Sequence, residues 1–211
     1  MTTRRKQLSE AMKASIRDAA AALFAEKGYP SVTMRDIARA AGCSHTAIYL
    51  YFNSKEDLLQ QIAIPSLMQL EQRLLEKLEK RDTAPEDRLL AVCEQYVVFC
   101  LTSGSLQTVL FMSGSVRVDD PAPALEVNVI RNRLFAHISG MLHETVSGPR
   151  EFASTEAEAD AVNNGRVLFY YLQGFISTYT GHVEPTEQLL ERTLPVLRHG
   201  IMTLVRGMKK Y

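Results

Sequence analysis

The chain of 211 residues predicts an all-α fold, and three observations carry that expectation. Apolar residues recur at intervals of three and four over long segments, the period of one face of a helix. These segments are punctuated by Gly and Pro, which stop helices or open them. One short stretch, TMRDIARAAGCSHTAIYLYF from Thr33 to Phe52, reads as two small helices joined at a glycine, a helix-turn-helix. With 46% hydrophobic residues the chain buries a sizeable core, which excludes a disordered class.

In chain order, Met1–Lys6 (MTTRRK) is a polar, basic terminus expected to fray, with Arg4, Arg5 and Lys6 available to phosphates or to solvent alone. Met12, Ile16, Ala19, Ala20, Leu23 and Phe24 mark a first helix over 9–27, capped by Ser9 and stopped by Gly28. Tyr29-Pro30-Ser31 is a connection, since Pro30 forbids helix continuation. Thr33 is the N-cap of the second helix and Asp36 its capping-box partner. Gly42 ends that helix, because glycine takes the left-handed conformation at little cost. Ser44 caps the third, expected to reach Phe52. Ser54 and Asp57 start a long fourth helix that Pro65 is expected to bend or break. Pro85 opens a helix ending at Ser103-Gly104; Leu106–Met112 is a short apolar helix; 124–146, 156–180 and 185–208 are the last three. Leu168, Tyr171, Leu172, Phe175, Ile176 and Tyr179 leave the 156–180 helix little room for solvent, and Gly165 and Gly174 point to close helix approach.

Formal net charge is zero, but its distribution is uneven. Residues 1–60 hold nine Lys/Arg against six Asp/Glu, a net of +3, and the remainder holds 15 against 18, a net of −3. This is the skew of a nucleic-acid-binding N-terminus. Three cysteines, an odd number, argue against a disulfide framework. Cys93 and Cys100 fall two helical turns apart, roughly 10 Å in rise, too far to bridge. They read as small buried hydrophobes. No signal-peptide pattern opens the chain and no apolar run reaches membrane-spanning length, which predicts a cytoplasmic protein without a membrane role. No HExxH, P-loop, GxGxxG, GxSxG or Glu-x-x-His pattern occurs. An enzyme, a metal site and a cofactor are therefore not expected; a helical adaptor or an all-α metal enzyme are the alternatives.

The pieces LFAEKGY, VTMRDIARAAGCS, TAIYLYF and NSKEDLL, in this order and spacing, give a segment from about Ser9 to Gln60 that resembles the DNA-binding head of the TetR family of bacterial transcriptional regulators. The remaining 150 or so residues are similar to the family only in length and helical character. The resemblance implies about nine helices: a three-helix head over 1–55 with the helix-turn-helix at 33–52, then a ligand-binding and dimerisation domain over 56–211. It implies that the helix from Ser44 enters the major groove of operator DNA with Ser44, His45, Thr46 and Ala47 leading. It implies that Tyr49 and Tyr51 contact phosphate or the groove wall, and that Thr33 and Lys55 clamp phosphates. His45 stands where many relatives carry Lys or Gln. Leu50 departs from the polar or aromatic residue common at its position, and Cys43 replaces a core valine.

The same resemblance implies a homodimer through 156–180 and 185–208, with recognition helices roughly 34–36 Å apart. It further implies a small-molecule effector, not identified by the sequence, that releases a repressor from its operator. Polar residues embedded in apolar stripes are the candidate effector contacts: Tyr96, His137, Asn164, Tyr171 and Gln173, with Phe99, Phe111, Met112 and Phe175 as walls.

Overall fold

The computed structural model describes residues 2–103, 119–123, 125–148 and 155–209. The expected helix at Leu106–Met112 and the candidate walls Phe111 and Met112 lie outside the described residues. Among the described residues there are eight α-helices and no strand. They are α1 (Thr2–Lys27), α2 (Met34–Ala40), α3 (His45–Ile48), α4 (Lys55–Leu78), α5 (Pro85–Thr102), α6 (Glu126–Ser147), α7 (Thr155–Tyr179) and α8 (Thr186–Met208), with a 3-10 turn at Tyr29–Ser31. The fold is all-α, as the periodicity requires.

The described residues up to Ser66 form one compact unit, and those of 67–103 and from Asp119 onward form a second. In the first, α1 packs on α2, and α2 on α3. Ile16, Ala20, Phe24, Ile37, Ala38, Ile48, Phe52 and Leu58 are almost fully buried. Each large aliphatic among them contributes roughly 1.5–3 kcal/mol by leaving water. Two helices as short as α2 and α3 do not hold together without that shared core.

α1 begins at Thr2, seven residues before Ser9, so the basic terminus is helical and Ser9 is interior rather than a cap. Arg, Lys, Gln and Leu are good helix formers, and nothing between Thr2 and Ser9 breaks the helix. α3 is shorter than expected: it ends at Ile48, and Tyr49–Tyr51 form turns whose N–H groups reach back to Ala47 and Ile48. Phe52, 1% exposed, is thus an anchor beyond the helix rather than its last turn. α4 runs unbroken through Pro65. One backbone bond is absent there, but Leu58, Leu59 and Ala63 before it and Leu67, Leu70 and Leu74 after it are all buried, and that apolar face holds the helix across the gap.

In the second unit α5, α6, α7 and α8 pack pairwise. A Cβ on Gly165 would lie 2.8 Å from Ser139 Cβ, so this glycine lets α7 approach α6 closely. Among the described residues Gly174 meets nothing within 4 Å, and it is exposed, so the close approach expected there is not made by any of them. Tyr171 lies over Gly200 of α8, where a Cβ would stand 2.4 Å from its ring. Cys93 and Cys100 are buried, unpaired thiols whose pKa values burial raises, that of Cys100 to about 12. Cys43 is only half-buried rather than core. No helix among the described residues is long and apolar enough to cross a membrane.

Candidate nucleic-acid interface

The helix-turn-helix is fixed by caps. Thr33 Oγ1 accepts from Asp36 N (3.2 Å) and donates to Asp36 Oδ2 (2.6 Å), while Thr33 N donates to the same carboxylate oxygen (3.1 Å). These bonds, the hydroxyl's first, hold the Asp36 carboxyl below its ordinary value. At the other end of α2, Cys43 N reaches Ala38 O and Gly42 N reaches Arg39 O, with Gly42 at φ 70°. This is the double bond pattern that closes a helix on a left-handed residue. α3 starts immediately, with Ser44 Oγ accepting from Ala47 N at 3.0 Å.

The sequence candidates fall into two groups. Ser44, His45 and Thr46 are exposed at the start of α3 and Ala47 is half-buried. His45 and Tyr49 stack edge to face with centroids 5.3 Å apart. Tyr49 is 45% exposed, Leu50 is 80% exposed and Tyr51 is half-buried. This polar, outward-facing N-terminus presents donors and acceptors to base edges or phosphates.

Lys55 belongs to the second group. Its ammonium donates to Tyr29 O (2.9 Å) and Val32 O (2.8 Å) and sits 4.2 Å from the centre of the Tyr29 ring. Tyr29 OH donates to Glu56 Oε1 at 2.9 Å. Burial and then this bond raise the Tyr29 pKa. Glu56 is held low, first by its own backbone N–H and then by Tyr29. Lys55, Tyr29 and Glu56 therefore fasten the turn before α2 to the start of α4, with one Lys55 N–H remaining. Sequence patterns do not single out Tyr29 and Glu56; the aromatic residue between Gly28 and Pro30 is the available signal.

The effector candidates are dispersed. Gln173 Nε2 donates to Tyr96 OH at 2.6 Å, and Tyr96 tilts against Phe169 in a core with Phe99 and Phe135. Burial keeps the Tyr96 hydroxyl protonated well above its ordinary range. His137 Nε2 lies 3.3 Å from Glu71 Oε1 instead. Tyr171 OH reaches the Val196 and Leu197 carbonyls (3.4 Å each), Asn164 is half-buried, and Phe175 stacks on Tyr179. A surface cleft of about 270 Å³, lined by Asp87, Leu90, Ala91, Glu94 and Arg198, contains none of them. Asn128 and Arg131, buried on α6 with Nη1 donating to Oδ1 at 3.3 Å, are not legible as core in the sequence. Arginine and asparagine at spacing three ordinarily mark a solvated face.

Residues 16–62 match the family described as bacterial regulatory proteins, tetR family. The fatty acid metabolism regulator protein of Bacillus subtilis (strain 168) is 28% identical over 129 residues, 61% of this chain and 65% of that protein, so the match spans just under two thirds of the relative. In structure, the chain resembles PfmR of Thermus thermophilus (TM-score 0.59, 23% identity, 90% of this chain and 97% of that one). It also resembles AibR in complex with isovaleryl coenzyme A and operator DNA (TM-score 0.60, 16% identity, 88% and 97%). At these identities the structural likeness establishes the fold alone. With its caps, glycine turn and exposed third-helix start all in place, the head matched over residues 16–62 is similar to the segment that family describes, the bacterial regulatory proteins of the tetR family.

Proposed function

We propose that the chain is a homodimeric transcriptional repressor that binds operator DNA through α3 in the cytoplasm and leaves it when a small molecule binds residues 56–211. The observation that carries this reading is the start of α3: a capped helix with Ser44, His45 and Thr46 all exposed on a packed head. His45 and Thr46 read bases. Ser44, Tyr49, Tyr51, Thr33 and the remaining N–H of Lys55 meet phosphates, and Ala47 allows close approach.

Dimerisation is assigned to α7 and α8, where Val167, Tyr170 and Val196 are 47, 59 and 58% exposed. Gly174 lies open on the same pair of helices. The effector site is assigned to the core around Tyr96, with Gln173 beside it. The isovaleryl coenzyme A held by the structural relative AibR makes acyl thioesters the first class to test. Effector binding releases DNA only if it favours the conformation that does not fit the operator.

Selection of duplexes from a random pool, followed by gel shifts across salt concentrations, tests the reading. A repressor recovers a twofold-symmetric site, and its affinity falls steeply as salt rises. Recovery of no preferred sequence removes the proposal. On the recovered site, His45→Ala changes base preference, whereas Lys55→Ala weakens all sites alike.

A further inference from the structure

We propose that the basic first turns of α1 form a second DNA-contact surface, in which Arg4, Arg5 and Lys6 engage backbone phosphates flanking the site read by α3. This rests on the DNA-binding reading above but goes beyond the helix-turn-helix. α1 extends to Thr2 as continuous helix, and all three side chains are exposed. Ser15 Oγ of α1 lies 3.4 Å from Ala41 O, at the end of α2 and three residues before the cap of α3. That contact sets where along α1 the helix-turn-helix stands. At 1.5 Å per residue, Lys6 and Arg4 lie about 14 and 17 Å further along the axis. This spans roughly four or five phosphate spacings of one DNA strand.

Charge supports the same assignment. Residues 1–17 hold five Lys/Arg and one carboxylate, Glu10, and that carboxylate is paired with Lys13 at 3.3 Å. The first turn of α1 has no acidic residue, so its cations oppose the helix dipole instead of complementing it. Folding alone gives no reason for that placement. A polyanion at the site reverses its sign.

The test uses the full chain and a duplex recovered by selection, prepared in two lengths: trimmed to the edges of the bound site, and extended by half a helical turn on each side. Wild type is expected to bind the extended duplex more tightly than the trimmed one. The R4Q/R5Q/K6Q variant is expected to lose that difference, and its plot of log affinity against log salt on the extended duplex to become shallower by about one to three per head. The sequence preference of the variant stays that of wild type. Equal wild-type affinity for the two duplexes overturns the proposal even if the variant folds poorly. So does an unchanged salt slope in a variant with wild-type helicity. Recovery of no duplex at all overturns the repressor reading together with this one.

Discussion

Thr33 and Asp36 satisfy each other so completely that little else is required to start α2. Thr33→Ala removes both hydroxyl bonds and should cost about 1 kcal/mol of stability, within the usual 0.5–2 for such caps; denaturant melts of the two proteins measure it. Glycines divide differently. Gly42 is needed for its positive φ, which the sequence showed through position alone. Gly165 is needed for space, as the sequence predicted through the helix approach expected there. Gly165→Ala forces a methyl to within 2.8 Å of Ser139 Cβ, and we expect a loss of about 1–3 kcal/mol by overpacking. Gly174→Ala meets no atom of the described residues; it should leave a monomer unaffected and weaken a dimer whose interface crosses α7, as sedimentation at graded concentration will report.

α4 is the element on which sequence and structure part most clearly. A proline ten residues into a helix predicts a bend or a break, and the helix is continuous from Lys55 to Leu78, so the break does not occur. Local propensity lost because burial on both sides of Pro65 outweighs one missing backbone bond, a cost of roughly 3 kcal/mol. Pro65→Ala should therefore raise stability by about 2 kcal/mol, the unfolded chain regaining part of the difference as entropy; calorimetry checks this. If effector release works by moving α4, the same variant should also need more effector to free its operator. Further along, Arg133 grips Glu71 with two bonds of 2.7 Å, Nε to Oε1 and Nη2 to Oε2, and His137 approaches Oε1. This bond set joins α4 to α6 within the second unit. No periodicity rule pairs residues 62 positions apart.

At the scale of the whole molecule, that carboxylate gives the protein an acid limit. The Arg133 hydrogen bonds hold Glu71 below its ordinary 4.5. A carboxyl with a lowered folded pKa adds stability that is fully present above its unfolded value and is lost as pH falls through the folded one. Melting midpoints should drop more steeply below about pH 4.5 in wild type than in Glu71→Gln. Assembly is the second molecular-scale prediction. Tyr170→Asp places a charge at an exposed site of α7 and should leave a folded monomer whose operator affinity falls by roughly two to four orders of magnitude, the avidity of two linked heads. Sedimentation and gel shift on one preparation separate loss of dimer from loss of fold.

The sequence by itself determined the helical class, the position of the described helices to within a few residues apart from the start of α1, and the head with its caps and glycine turn. Those features are written in contacts between residues three to five apart, where periodicity, hydroxyl caps and a missing Cβ act directly. Tertiary structure alone decided the rest. It decided that Lys55 fastens the head to the start of α4 through carbonyls 26 and 23 residues away. It decided that Tyr96 pairs with Gln173, and that His137 joins Glu71 rather than that core. It carried α4 past its proline. Each of these is a contact between distant parts of the chain, fixed by which apolar faces pack, and no local pattern specifies that choice.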